Sequence, residues 1–248
     1  MTSQEGPGIA WITGAGKGIG REMARRLARD GWTVAASART EEDLLSLRNE
    51  CPAGRLHVYP LDIADRGGTE AIVARMETDI GAIDLAVLNA GTHIPMSAGD
   101  FSVDTLRTLV ETNLMGTANG LAALLPRFIE RNRGQIAVVG SVAGYRGLPT
   151  SAGYGATKAA LINMCEALKP ELERHNVRLT LINPGFVKTP LTDRNAFPMP
   201  FLVPVEDAVE YFVRKLPSSS FEIAYPRRLA ILMKVVRLLP DRLFFAMT

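Results

Sequence analysis

Cysteine is scarce in this chain of 248 residues: Cys51 and Cys165 are its only two, and they form no motif. That excludes a disulfide framework and a cysteine-based metal spacing. No apolar stretch reaches the roughly 18 residues that suggest a membrane-crossing helix. The opening residues Met1–Gly6 lack the basic and apolar regions of a signal peptide. A reduced, cytoplasmic setting is therefore expected. A net charge of +2 is too small to imply nucleic acid as a partner. Repeats, low-complexity tracts and convincing linkers are also missing, so one domain spanning 1–248 is expected. With 47% hydrophobic and 22% charged residues, the composition is that of an ordinary globular protein. A chain this long buries a large core without covalent staples.

What is present is an alternation of apolar runs with helix-period segments. Gly8–Thr13, Trp32–Ser37, Arg55–Pro60, Ile83–Leu88, Gln135–Val139, Val177–Ile182 and Phe221–Tyr225 read as strands. Gly18–Asp30, Glu41–Glu50, Asp65–Ile80, Ser102–Thr112, Leu114–Arg131 and Gly155–Arg174 read as helices, with Cys165 on an apolar face. Strands apolar throughout are expected where helices cover both sheet faces. The pattern predicts an α/β fold: a single-domain, Rossmann-type, doubly wound parallel sheet with helices on both faces. Right-handed crossovers then gather the strand-end loops on one edge, where ligands bind.

The first strand runs into Thr13-Gly14-Ala15-Gly16-Lys17-Gly18-Ile19-Gly20 and then a helix. Glycine permits positive φ and close backbone approach. The helix start offers unpaired N–H groups and a positive dipole end to a pyrophosphate. The spacing is Gly-x3-Gly-x-Gly, not the commoner Gly-x-Gly-x-x-Gly. Its strand–turn–helix position points to a dinucleotide. At the end of the second strand, an acid would bond a ribose hydroxyl and an arginine would accommodate a 2′-phosphate. Here that strand ends Ala36-Ser37-Ala38-Arg39, with no acid, and Lys17 can add a second positive charge. NADP(H) is expected over NAD(H).

Tyr154 and Lys158 stand four apart on a helical segment, about 5–6 Å apart at Cβ. A free tyrosine titrates near pH ~10. An ammonium beside it favours phenolate, so a lowered Tyr154 pKa is expected. Ser141 ends an apolar strand-like run thirteen residues before Tyr154. A phosphate cradle and an activated phenol in one chain suggest hydride chemistry on a carbonyl or alcohol.

Thr13-Gly14-x3-Gly18-x-Gly20, Asn89-Ala90-Gly91, Asn113, Ser141, Tyr154-x3-Lys158 and Pro184-Gly185 together resemble the short-chain dehydrogenase/reductase family, in order and across most of the chain. The resemblance implies Tyr154 as general acid or base, Ser141 bonding the substrate oxygen, and Lys158 bonding the nicotinamide ribose. It implies that Asn113 holds a water on a proton path from Lys158. It places Asp62 and Ile63 by the adenine and Asn89, Ala90 and Gly91 beneath the cofactor. Pro184, Gly185, Val187 and Thr189 would fix the nicotinamide for pro-S hydride transfer. Leu88 stands where the family often has another asparagine.

The segment 190–204 is expected to be a substrate flap. Its Leu191, Phe197, Met199, Phe201, Leu202 and Val203 suggest an apolar carbonyl or alcohol, unless they simply pack on the core. His93 is read as a surface residue or a substrate contact. The resemblance also implies a homodimer or homotetramer paired through helices 114–131 and 155–174. The extension 226–248 carries Arg227, Arg228, Lys234, Arg237 and Arg242 against Asp241, a local +4 that leaves −2 elsewhere. Leu229, Ile231, Leu232, Val235, Val236, Leu238, Leu239, Leu243, Phe244 and Phe245 interleave with them. The segment reads as packing on the pocket or a subunit, or as an amphipathic hairpin making peripheral membrane contact. Two alternatives stay open: a catalytically silent NADP(H)-binding regulator, and a membrane-associated reductase of lipid-like substrates.

Overall fold

Seven apolar runs become seven parallel strands of one sheet. The structure, a computed structural model, describes residues 7–194, 197–218 and 220–247. The polar opening 1–6, residues 195–196 of the flap, Ser219 and the terminal Thr248 lie outside the described residues. The strands are β1 (Ile9–Thr13), β2 (Thr33–Ser37), β3 (Leu56–Val58), β4 (Leu85–Leu88), β5 (Gly134–Val139), β6 (Val177–Pro184) and β7 (Glu222–Tyr225). Their order is β3-β2-β1-β4-β5-β6-β7, every neighbour parallel. The chain builds outward from β1 to β3, then returns to place β4 on the other side of β1. That reversal opens a crevice at the strand ends, the switch point of such sheets.

The helices are α1 (Gly18–Arg29), α2 (Glu41–Asn49), α3 (Arg66–Asp79), α4 (Val103–Leu109), α5 (Gly116–Glu130), α6 (Ala152–Glu173), α7 (Val205–Lys215), α8 (Arg227–Arg237) and α9 (Asp241–Met247). Successive strand residues feed opposite layers. Trp11, Ala86 and Leu88 enter the core shared with Val73, Leu124 and Phe128. Ala10, Ile12, Leu85 and Val87 enter the core shared with Met23, Leu44 and Phe212. Two buried faces explain why these strands are apolar at every position. Truncating Phe128 or Phe212, both fully buried, would cost about 3–5 kcal/mol.

The structure departs from the sequence reading in three places. The two helices expected at 102–112 and 114–131 form one continuous helical run, because a wider π-turn, Val110–Met115, joins α4 to α5. β3 is three residues long and stops before Pro60, which has no N–H to give a ladder. Helix α7, to which the sequence reading assigned no element, begins after Pro204. Glu206 and Asp207 sit in its first turn and Arg214 and Lys215 in its last, matching the helix dipole.

Candidate active site

The glycine turn is built by close approach. Gly14 (φ +66°) and Gly18 (φ +55°) occupy the left-handed region. A Cβ on Gly14 would lie 2.8 Å from Ala90 Cα, and one on Gly20 would collide with the Gly14 carbonyl and Asn89. Asn89 fastens the turn by donating from Nδ2 to the carbonyls of Thr13 (3.0 Å) and Gly14 (3.3 Å). Thr13 Oγ1 returns the contact, accepting from the N–H of Asn89 (2.9 Å) and of Ala90 (3.0 Å). Helix α1 starts with neither a side-chain cap nor an acid in its first turn. Its end therefore suits an anion, and the collision distances suit one that touches backbone.

A cleft of about 380 Å³ opens above this turn. Gly14, Gly16, Lys17, Gly18, Ile19, Ser37, Arg39, Asp62, Ile63, Asn89, Ala90, Gly91 and Thr189 line it, while Gly20 lies behind the turn as its spacer. Three polar residues differ in detail from the sequence reading. Ser37 is buried and its Oγ accepts from the Trp11 indole N–H at 3.0 Å, so that hydroxyl serves the core. Asp62 accepts from Ala64 N at 3.0 Å, tightening its own loop. Asp43, which the sequence reading passed over, lines the cleft and pairs with Lys17 at 3.3 Å. Arg39 makes no ion pair among the described residues.

A second chamber of about 100 Å³ shares Ile19, Asn89, Gly91, Thr189 and Leu191 with the first. Ser141, Tyr154, Lys158, Pro184, Gly185 and Val187 are among its other walls. Ser141 follows β5 and caps the short turn Val142–Gly144, its Oγ accepting from Ala143 N at 3.1 Å. Helix α6 carries Tyr154 and Lys158 to the same wall. Lys158 is buried, and its Nζ donates to the Val139 carbonyl at 2.8 Å and lies 5.7 Å from the Tyr154 ring centre. Burial lowers the Lys158 pKa to about 8. Burial also raises the Tyr154 phenol above its ordinary value, with the Ser141 hydrogen bond pulling the other way. The expected lowering of Tyr154 is thus reversed. Loss of water outweighs the Ser141 hydrogen bond, and the Lys158 ammonium, 5.7 Å from the ring centre, does not restore the lowering.

Asn113 lines neither space. It sits fully buried in the π-turn, with Nδ2 donating to the Thr92 carbonyl (3.0 Å) and Thr157 Oγ1 (3.1 Å). Its Oδ1 accepts from Thr92 N at 2.7 Å. One amide therefore joins the loop after β4 to α6. His93 reaches the site from that loop, its ring edge-on to Tyr154 with centres 4.7 Å apart. Leu88, in place of the family's asparagine, is buried against Gly120, where a Cβ would come within 2.7 Å of Leu88 Cδ2.

The flap is only partly a lid. Val203 bonds back to Lys188 (2.9 Å) and Phe186 (3.0 Å), and Phe197 meets Phe186 edge-on at 5.9 Å. Leu191 lines both spaces, whereas Phe197, Phe201 and Leu202 are exposed. Behind Ser141 lies a cluster that no local sequence pattern announces. Asn183 donates to Glu222 (2.7 Å) and to the Tyr145 hydroxyl (3.3 Å), and Glu222 also accepts from Tyr145 and Lys234. Burial would raise the Glu222 carboxyl, but hydrogen bonds from Lys234, Tyr145 and Asn183 hold it below its ordinary value.

A parallel sheet whose switch point carries a glycine turn, opening onto a phenol, a hydroxyl and a buried amine, defines a dinucleotide-dependent oxidoreductase. The comparisons agree. The family model for short chain dehydrogenase matches residues 8–197. An uncharacterized oxidoreductase of Myxococcus xanthus (strain DK1622) is 39% identical over 239 residues, covering 96% of this chain and 94% of the relative. Another, of Staphylococcus aureus (strain MW2), is 30% identical over 184 residues, covering 74% and 80%. Among solved structures, a short chain dehydrogenase/reductase of Burkholderia phymatum in complex with NAD superposes with a TM-score of 0.84 at 22% identity, covering 94% and 93%. A short-chain dehydrogenase of Streptomyces avermitilis gives 0.82 at 24%, covering 93% and 92%. This chain belongs to the short-chain dehydrogenase family, oxidoreductases that use NAD or NADP.

Proposed function

We propose that the protein transfers a hydride between NADP(H) and an apolar carbonyl or secondary alcohol. The observation that carries this reading is the chamber in which Ser141, Tyr154 and Lys158 share one wall beside the glycine-turn cleft. The turn Gly14–Gly20 would hold the pyrophosphate, Lys17 and Arg39 the 2′-phosphate, and Asp62 and Ile63 the adenine side. Asn89, Ala90 and Gly91 would lie beneath it, with Pro184, Gly185, Val187 and Thr189 at the nicotinamide end. When bound, the nicotinamide supplies or accepts the hydride.

The chain's own groups handle the proton. Tyr154 and Ser141 present two hydroxyls to the substrate oxygen. A phenol raised by burial is held in the protonated form that a general acid starts from, and the same burial makes it a weaker proton donor that the loaded site must activate. Lys158, at about 8, can exchange a proton near neutrality. Asn113 acts as a positioning residue, holding α6 against the loop after β4, and a water beside it would complete a path to solvent. Leu191, which lines both spaces, gives the chamber an apolar wall.

Two observations favour a second reading, NAD(H). Asp43 partly neutralises Lys17, and the Burkholderia relative was solved with NAD. Arg39, just beyond β2, makes no ion pair among the described residues, so NADP(H) is the stronger reading. A panel of ketones, aldehydes and alcohols with each nucleotide tests the function. Tyr154→Phe should still bind nucleotide and lose about 10²–10⁴-fold in turnover. Full activity in that variant would remove Tyr154 from the acid–base role, and nucleotide binding with no turnover across the panel would replace this reading with a nucleotide-binding regulator.

A further inference from the structure

Helix α8 is apolar on two sides. Leu229, Ala230 and Met233 are buried against the body, with Leu229 seated on Gly185. Ile231, Val235 and Leu238, spaced i, i+4, i+7, face outward beside Leu232, and Leu238 is 83% exposed. Helix α9 repeats the arrangement: Phe244 is buried beneath the Arg146 guanidinium, while Leu243 and Phe245 are exposed. Both helices are pinned in place. Arg146 pairs with Asp241, and Lys234 pairs with Glu222. The outward apolar face is therefore a fixed surface.

The charge around it has one sign. Asp241 and Glu222 are each answered by a partner, while Arg227, Arg228, Arg237 and Arg242 make no ion pair among the described residues. Arg228 stands one turn before Ile231 and Leu232, and Arg242 lies between Leu238 and Phe245. A second copy docked through this face would bring four surplus cations against four. An anionic lipid surface instead accepts the arginines at its headgroups while the apolar side chains enter the acyl boundary. An eleven-residue helix cannot cross a bilayer, and among the described residues no helix is long and apolar enough to do so.

We propose that α8 and α9 form a docking face by which the protein lies on an anionic bilayer. Gly185 lines the catalytic chamber and touches Leu229, so the face is one helix thickness, about 10 Å, from that chamber. The proposal holds whatever the substrate or nucleotide.

Flotation of the full chain with vesicles tests it, using phosphatidylcholine alone and phosphatidylcholine mixed with phosphatidylglycerol. At low salt the protein should float with the mixed vesicles only, and high salt should release it. Arg228→Gln and Arg242→Gln, both at exposed positions, should each weaken partitioning about fivefold. The pair Ile231→Glu with Val235→Glu should abolish flotation; nucleotide binding by these variants checks that they fold. No flotation at low salt, or equal flotation with neutral vesicles, would overturn the proposal. So would a dimer that the arginine variants leave intact and the glutamate pair dissolves, which would assign the face to a second copy.

Discussion

The side-chain amide of Asn113 donates to Thr157 Oγ1 at 3.1 Å, one residue before Lys158 and three after Tyr154. Thr157 also donates to the Tyr154 carbonyl at 2.8 Å, so the first turns of α6 are held both from within and from the π-turn. Thr157→Val keeps the shape and removes the acceptor, leaving a buried N–H without a partner. A loss of about 1–3 kcal/mol in urea unfolding is expected. Turnover should fall more than nucleotide affinity. Unchanged stability and turnover would show that the bond carries no load.

Lys158 gives the stability curve a specific slope. Its ammonium releases a proton near 8 in the folded chain and near 10.5 when unfolded. Between those values the unfolded chain binds a proton that the folded one has lost, so this group makes stability rise with pH across the window. Lys158→Met removes that dependence. The difference between wild type and variant should move in favour of the wild type by about 3 kcal/mol from below pH 8 to 10.5. Urea unfolding of nucleotide-free protein measures it, and a flat difference would mean that the amine is hydrated.

Nucleotide preference should respond to Arg39 and Asp43 in opposite ways. Arg39→Asp is expected to lower kcat/KM for NADPH by about 10–100-fold, the worth of one charge-assisted bond, with NADH affected far less. Asp43→Asn releases Lys17 from a largely exposed ion pair and should raise NADPH use by about twofold to fivefold. If Arg39→Asp leaves the ratio unchanged and NADH is the better substrate, NAD(H) is the cofactor.

Tyr145 and Glu222 make an acid-sensitive bond behind Ser141. The Glu222 carboxyl is held below its ordinary 4.5, so its contribution is present above that pH and fades as pH falls through the folded value. Tyr145→Phe should cost about 1–3 kcal/mol at neutral pH. The gap between variant and wild type should narrow in acid. A gap independent of pH would place the cost in packing alone.

Much of this architecture is legible in the chain because it is local. Strand runs, the glycine turn and Tyr154-x3-Lys158 each sit within a few residues, where periodicity and spacing act. What escaped is non-local. The Tyr145–Glu222 bond spans 77 residues, and nothing near either one marks it. Asp43 lies in the first turn of α2, where an acid reads simply as dipole matching. The direction of the Tyr154 shift escaped because spacing reports the neighbouring charge and not the water removed from both groups. Asn113 is expected at the site from its place in the family pattern, whereas the structure seats it outside both spaces, in a helical run that the sequence reading divides in two.

That run carries one more consequence. A π-turn holds one residue more than an α-turn, so each residue beyond it faces roughly 100° away from where an unbroken α-helix of the same sequence would place it. α4 can thus aim Leu109 at Gly153 on α6, while α5 turns Leu121, Leu124 and Phe128 toward the sheet and α3. Deleting a single residue between 110 and 115 would bring both segments into phase. Both surfaces would keep their partners on an unbroken α-helix, but the wide turn that seats Asn113 and its clasp on Thr92 and Thr157 would be gone.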